Sequence, residues 1–315
     1  MPTTPPPHAG SQLARLQQSV VLGTALALLL WLVLRWDKSW ALTAAGAVLI
    51  AFGYALVLAL EFVFVAMVNR RDPSPPAGWA VMLRAWWVEV GTAPQVFSWR
   101  QPFLWRRWPD EDVPAAPGRT AVVLVHGFVC NRGLWLPWMR VLRARGIPYT
   151  SVNLEPVFGS IDRYIAQIDD AVRRAQALTG CPPVLVCHSM GGLAARAWRV
   201  ATPDADERLR HIVTIGSPHH GTWLGRFSHV ANGRQMRQDS RWLQALRERE
   251  RQRWSQQAYA RFTCWYSNAD NIVFPASTAT LPGADNRFVP GRPHVALAFA
   301  EEVVEGTLAL AARQP

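Results

Sequence analysis

The sequence predicts an α/β fold, a mostly parallel sheet with helices on both faces, preceded by two transmembrane helices. Beyond residue 119, short apolar runs alternate with stretches whose apolar residues recur at helical spacing. These short runs are nearly continuous in apolar character, as in parallel strands that are buried on both faces. The first 70 residues contain two long, almost uncharged apolar runs. Such runs are typical of membrane spans.

The two apolar runs predict a transmembrane hairpin. The first covers residues 20–34, which is slightly short for a span, and the second covers residues 40–60 and resumes after Glu61 as far as residue 68. A secretory signal is the alternative for the first run, but no A-x-A cleavage site follows it. Glu61 either marks the membrane interface near a helix end or is a functional acid within the membrane.

Charge and cysteine content indicate the surroundings of the chain. The formal net charge is +11, yet neither a zinc-finger spacing nor an RNP-like motif supports nucleic-acid binding, so membrane lipid headgroups are the expected anionic partner. Most arginines near the hairpin follow its second run, which predicts that both hairpin ends lie on the cytoplasmic side. The four cysteines form no C-x-x-C pair, which agrees with a reducing compartment.

Composition divides the chain into four predicted parts. These are an N-terminal tail (1–18), the hairpin (19–70), a linker rich in tryptophan, proline and arginine (71–118), and a catalytic domain (119–315). Within the linker, residues 77–90 fit a short amphipathic helix at headgroup level. The alternative is an ordinary linker whose tryptophans pack on the following domain.

The predicted elements of the catalytic domain follow in order along the chain. Strands are expected at residues 120–127, 147–154, 183–187, 211–216, 261–267 and 287–289, and helices at 135–145, 161–178, 191–201 and 295–312. Ligands of such sheets bind beyond the carboxyl ends of the strands. Candidate catalytic residues should therefore directly follow strands.

The stretch CHSMGG at residues 187–192 places Ser189 between the third strand and a helix. A serine on such a sharp turn is exposed as a nucleophile in the pattern G-x-S-x-G, but here Cys187 replaces the first glycine. Cysteine is small enough for this crowded position. Taken alone, the motif fits a nucleophile elbow and a chance serine about equally well.

Two later residues supply the partners that a serine nucleophile requires. Asp270 directly follows the fifth strand and His294 follows the sixth, so the chain order is Ser, Asp, His. Asp285 and Glu301 are weaker alternatives for the acid. The amides of Met190 and Phe128 are the expected oxyanion donors, because they follow the nucleophile and the first strand. His126 is expected to be structural.

The set VLVHGF, CHSMGG, SPHHGT, SNADNIVFP and PHVAL resembles the bacterial lipase/esterase branch of the α/β-hydrolase superfamily over residues 119–312. The resemblance implies Ser189 as nucleophile, His294 as general base and then acid, and Asp270 as the residue that orients it. It implies no cofactor. Some lipases of this branch bind calcium through an aspartate shortly after the catalytic histidine, but Val295-Ala296-Leu297 stands there, so no metal site is expected. Together with the predicted hairpin, the resemblance also suggests that the protein is located in a bacterial inner membrane.

Two other stretches have open interpretations. His219 and His220 are not expected to bind a metal, because adjacent residues on an extended backbone point apart and no third ligand is spaced to join them. The loop SPHHGT that carries them is expected to line the mouth of the site. Residues 233–261 are expected to form either a lid or membrane-touching helix, or a solvated surface helix.

The predicted function is therefore a membrane-anchored serine hydrolase that cleaves carboxylic esters, small-molecule or lipid, through an acyl-enzyme. An apolar acyl group is expected from four aromatic residues, Phe128, Trp135, Phe158 and Trp223. An acyltransferase or thioesterase with the same triad is the alternative enzyme, and a catalytically silent membrane adaptor is the alternative outside enzymology. The sequence names no protein partner.

Overall fold

The computed structural model of the protein describes residues 10–312, apart from the side chain of Gln256. Its sheet has six parallel strands in the order β2-β1-β3-β4-β5-β6. The strands are β1 Val122–Val125, β2 Tyr149–Ser151, β3 Val184–His188, β4 His211–Ile215, β5 Phe262–Tyr266 and β6 Asp285–Phe288. The predicted fold class is confirmed, and the sixth strand begins two residues earlier than expected.

Helices cover both faces of this sheet. In chain order the helices are α1 Gln12–Leu34, α2 Trp40–Val68, α3 Trp79–Pro94, α4 Leu136–Ala144, α5 Ile165–Thr179, α6 Met190–Ala201, α7 Ala231–Gln235, α8 Arg241–Trp254, α9 His294–Leu297 and α10 Glu301–Ala312. Alternate residues of β1 belong to different apolar clusters: Val123 and Val125 pack on the side of α5 and α6, and Val122 and Leu124 pack on the side of α4 and α10. Strand β1 is thus buried on both faces, as its continuous apolar character predicts, whereas the edge strand β6 is partly exposed.

The predicted closing helix over residues 295–312 was wrong in one respect, because it is broken into α9 and α10. Residues 298–300 separate the two parts. Within this break, the carbonyl of Ala298 accepts a hydrogen bond from the indole N–H of Trp138 at 2.7 Å. The short first part, α9, begins at His294.

Helices α1 and α2 form a hairpin and are long and apolar enough to cross a membrane. At 1.5 Å per residue, the 23 and 29 residues of these helices span about 35 and 44 Å, compared with about 30 Å of bilayer hydrocarbon. Little of either helix is buried inside the protein. Near the tip, Trp31 donates to the carbonyl of Thr43 at 2.9 Å, and its ring fits against Gly46, where a Cβ would lie 2.2 Å from the ring.

The segment between the hairpin and β1 wraps around the catalytic domain. A π-helix, Gln95–Leu104, continues α3 and contacts α1. Farther along, the buried guanidinium of Arg132 donates to the carbonyls of Trp105 and Trp108, and forms an ion pair with Asp110 at 2.8 Å. These contacts hold the wrapped segment against β2 and the loop after β1.

Candidate active site

Ser189 occupies a strained turn between β3 and α6. Its backbone angles are φ 54° and ψ −127°, in the region that residues with a Cβ rarely adopt. The amide of Ser189 donates to the carbonyl of Ile215 on the neighbouring strand at 2.9 Å, which holds the turn to the sheet. Since β3 lies in the middle of the sheet, Ser189 stands at the carboxyl edge where ligands of parallel sheets bind.

Small residues allow this turn to form. A Cβ on Gly191 would lie 2.6 Å from the carbonyl oxygen of Val125, and a Cβ on Gly127 would lie 2.7 Å from Cβ of Ser189. Cys187, at the position of the missing glycine, is completely buried in the core between β1 and β4. Burial raises the pKa of its thiol, so the side chain is a protonated packing group.

Asp270 and His294 form a buried pair beside this turn. Nδ1 of His294 lies 2.9 Å from Oδ2 of Asp270, and the other Asp270 oxygen accepts the amides of Ile272 and Val273 at 2.9 and 2.7 Å. Gly216, with φ 55°, lets the pair approach, because a Cβ there would lie 2.8 Å from Oδ2 of Asp270. One oxygen of Asp270 is therefore held by the backbone of its own loop, and the other is positioned to orient His294.

The environment of His294 suits a base. Burial lowers its pKa, but the charge and hydrogen bond of Asp270, aided by Glu89, outweigh burial and raise the pKa overall. A carboxylate accepts only, so Nδ1 carries the proton and Nε2 of the neutral ring is an acceptor. His294 and Ser189 line the same cavity. The structure thus brings the three predicted residues together.

Two other histidines near the turn have structural contacts. Nε2 of His126 accepts the amide of Leu154 at 3.0 Å, which leaves the proton on Nδ1, 2.9 Å from the carbonyl of Gly127. Nε2 of His188 lies 3.2 Å from the carbonyl of His294, and the two rings are 4.6 Å apart. Burial and the neighbouring His294 lower the pKa of His188, so it stays neutral.

The predicted oxyanion donors lie on the two segments that flank Ser189. Met190 is the first residue of α6, so its amide is one of the helix-start amides that have no acceptor within the helix. Phe128 lines the cavity and belongs to the turn that follows β1. The next residue, Val129, has φ 53°, an unusual conformation for a β-branched residue.

Sequence reasoning missed Glu89, which supports His294 from outside the catalytic domain. Glu89 on α3 is almost fully buried and accepts the amides of Val295 and Ala296, at 2.8 and 3.3 Å, next to His294. Asn271 accepts the amide of His294 at 3.1 Å and donates to Glu61 of α2 at 2.7 Å. The available signal was that Glu89 is an acid within the otherwise apolar run WWVEV.

A cavity of about 980 Å³ begins at Ser189 and His294. Its walls are formed by the loops of the catalytic domain, the end of α3 and the apolar faces of α1 and α2. Of the four aromatic residues expected at the site, only Phe128 lines this cavity. Trp135 is buried in the core beside His188, Trp223 packs against Phe64 and Phe274, and Phe158 is 46% exposed and contacts Phe128.

The charged helix α8, within the segment 233–261, lies away from this cavity. Its Glu250 forms a buried bidentate ion pair with Arg196 of α6, with distances of 2.8 and 2.6 Å. Only Gly233 and Met236 of the segment reach the cavity. The lid interpretation therefore does not fit α8, and the position over the site is occupied by the hairpin.

The other predicted site features have mixed outcomes. His219 is buried against Thr214 and Cys264, at 3.0 and 3.8 Å, while the loop that carries it lines the cavity through Pro218 and Thr222, as expected. Asp285, an alternative acid, pairs with Arg287 on β6. Within residues 10–312, no group of three or more histidine, cysteine, aspartate or glutamate side chains could hold a metal ion.

Comparisons with known proteins agree with this architecture. A family model described as "Alpha/beta hydrolase family" matches residues 122–310. The (lyso)-N-acylphosphatidylethanolamine lipases of Mus musculus and Homo sapiens are 30% and 29% identical over 120 residues, which cover 34% of this chain. The aligned part spans about a third (33%) of each of those relatives.

A solved structure extends the likeness over a larger part of the chain. The mature form of Bacillus licheniformis lipase BlEst2 superposes with a TM-score of 0.55, and the match covers 64% of this chain and 94% of the lipase. The two sequences are 15% identical over this match. At that level of identity, the comparison shows a shared fold.

Proposed function

Because this chain belongs to the alpha/beta hydrolase family, we propose that it is a serine hydrolase that cleaves carboxylic esters. The observation that carries the proposal is the His294–Asp270 pair, which opens onto the same cavity as Ser189 on its strained turn. The lipase names of its relatives support an ester of a lipid as the substrate.

The proposed reaction has two halves. Nε2 of His294 removes the hydroxyl proton while Oγ of Ser189 attacks the ester carbonyl, and the amides of Phe128 and Met190 stabilise the resulting oxyanion. The tetrahedral intermediate collapses, the alcohol leaves with the proton from His294, and the acyl group stays on Ser189. Water, deprotonated by His294, then releases the carboxylic acid and restores the serine.

We also propose that α1 and α2 anchor the enzyme in a membrane, with the catalytic domain on the cytoplasmic side of a bacterial inner membrane. Their length, their apolar character and their low burial in the protein support the anchor. On α3, Trp79 and Trp87 are 67% and 62% exposed, which supports placement of this helix at headgroup level. Protease access to terminal tags in spheroplasts tests the orientation, and digestion from outside contradicts it.

Labelling with a fluorophosphonate probe tests the catalytic proposal. The full-length protein in detergent should be labelled, and Ser189→Ala should abolish labelling together with the hydrolysis of p-nitrophenyl acetate. Ser228→Ala is the matched control, because Ser228 lines the same cavity and has no proposed role in the chemistry. Undiminished labelling of Ser189→Ala rejects the nucleophile, and an unlabelled wild type favours the silent adaptor.

A further inference from the structure

The hairpin forms one side of the cavity that begins at Ser189. On α1, the lining residues lie between Val20 and Leu28, and on α2 they lie between Ile50 and Glu61. At 1.5 Å per residue, these stretches extend about 12 and 16 Å along the helices. The cavity therefore continues from the carboxyl edge of the sheet well into the predicted membrane-spanning part of the chain.

Specific polar contacts attach this wall to the catalytic domain. Asn271 joins Glu61 of α2 to the backbone of His294, with hydrogen bonds of 2.7 and 3.1 Å. At the end of α2, Asn69 donates to the carbonyl of Asn268 at 3.0 Å and accepts the amide of Ala276 at 3.3 Å. A hairpin that served only as a tether would need none of these contacts beside His294.

The cavity is open on the hairpin side. Three of its lining residues, Val20, Phe52 and Val57, are also 61%, 56% and 60% exposed. If α1 and α2 cross a bilayer, this opening faces the hydrocarbon. Polar lining groups such as Ser189 and Glu61 lie at the catalytic end, and aliphatic side chains such as Leu28 and Ile50 lie at the far end.

We infer that the hairpin is part of the substrate site: an ester-linked acyl chain of a bilayer lipid enters sideways from the membrane and lies along α1 and α2, with its carbonyl at Ser189. This inference rests on the proposed ester hydrolysis and adds the substrate class and its route of entry. Aliphatic side chains along α1 and α2 would contact the successive methylenes of a long chain, whereas a short chain would make few of these contacts. A water-soluble short-chain ester would need only the catalytic end.

The proposal is tested with a substitution that narrows the cavity along α1 and leaves Ser189, His294 and Asp270 unchanged. In full-length protein reconstituted in phospholipid vesicles, Ala25→Trp places a large ring in the groove, and Ala27→Trp is the matched control, because Ala27 is exposed on the same helix and does not line the cavity. Hydrolysis is measured with p-nitrophenyl palmitate and p-nitrophenyl acetate. Ala25→Trp should lower kcat/KM for the palmitate by about tenfold or more, because the indole ring occupies the space of the acyl chain, and should leave the acetate unchanged.

The two esters separate the possible outcomes. The acyl-chain route is overturned if both variants lose palmitate hydrolysis equally, or if Ala25→Trp loses none. Continued acetate hydrolysis in that case still supports the proposed function. A wild type that is inert toward both esters overturns the proposed function and this inference with it. If Ala25→Trp loses both activities through misfolding, Ala51→Trp on α2, which also lines the cavity, is judged by the same criterion.

Discussion

Replacement of Glu89 by glutamine should remove a pH dependence from the stability of the protein. Glu89 is almost fully buried, and burial raises its pKa from 4.5 to about 7, although hydrogen bonds from Val295 and Ala296 and the charge of His294 oppose the shift. Glutamine has nearly the same shape and retains a carbonyl oxygen as acceptor, but it does not ionise. The variant therefore isolates the ionisation of this one side chain.

The magnitude follows from the shift in pKa. A difference of about 2.5 units, at 1.36 kcal/mol per unit, corresponds to about 3 kcal/mol. The folded state holds the Glu89 proton more tightly than the unfolded state, so its contribution to the free energy of unfolding is fully present below pH 4.5. That contribution is lost as the pH rises through about 7.

Thermal unfolding in detergent, followed from pH 4.5 to pH 8, measures this effect. Relative to wild type, Glu89→Gln should gain about 3 kcal/mol over this range, which is roughly 6 °C or more in Tm. The other titrating groups are common to both proteins and cancel in the difference, apart from His294, whose pKa is raised in part by the charge of Glu89. Glu111→Gln, at an exposed acid, is the control and should follow wild type at every pH.

Parallel curves of Tm against pH for wild type and Glu89→Gln would contradict the raised pKa of Glu89. They would mean that Glu89 does not change its ionisation between pH 4.5 and pH 8. Kinetics provide a second measurement. The charge of Glu89 helps to raise the pKa of His294, so the acid limb of kcat/KM should move to lower pH in Glu89→Gln. An unmoved acid limb would contradict the coupling between Glu89 and His294.

Substitutions at three further positions test other parts of the structure. Cys187→Ala should retain activity, whereas Cys187→Leu should overpack the turn by about 1–3 kcal/mol and lose ester hydrolysis; if leucine is tolerated, the tight turn is wrong. Asp270→Asn should lower kcat by about 10⁴-fold, because it favours the wrong tautomer of His294, and the control Asp285→Asn should not. Glu250→Ala should lower the free energy of unfolding by about 3–5 kcal/mol, because it breaks the buried ion pair with Arg196 of α6. The folded variant should keep the kcat of wild type, because α8 lies away from the cavity.

The fold class and the candidate catalytic residues could be predicted from the sequence, because both depend on local patterns. Alternation of strand and helix patterns is a local property, because burial on both faces of a strand or one face of a helix sets the period of apolar residues. The serine turn is local as well, since its crowded neighbours must be small. The chain order of Ser189, Asp270 and His294 then follows from the order of the strands.

The surroundings of these residues could not be predicted from the sequence, because they depend on contacts between distant segments. Glu61 and Asn271 are 210 residues apart in sequence, and Glu89 and Val295 are 206 apart. Their contacts depend on how the hairpin and α3 dock against the catalytic domain, and local periodicity carries no information about that docking. For the same reason, the sequence did not indicate that α1 and α2 would line the cavity, or that α8 would lie away from it.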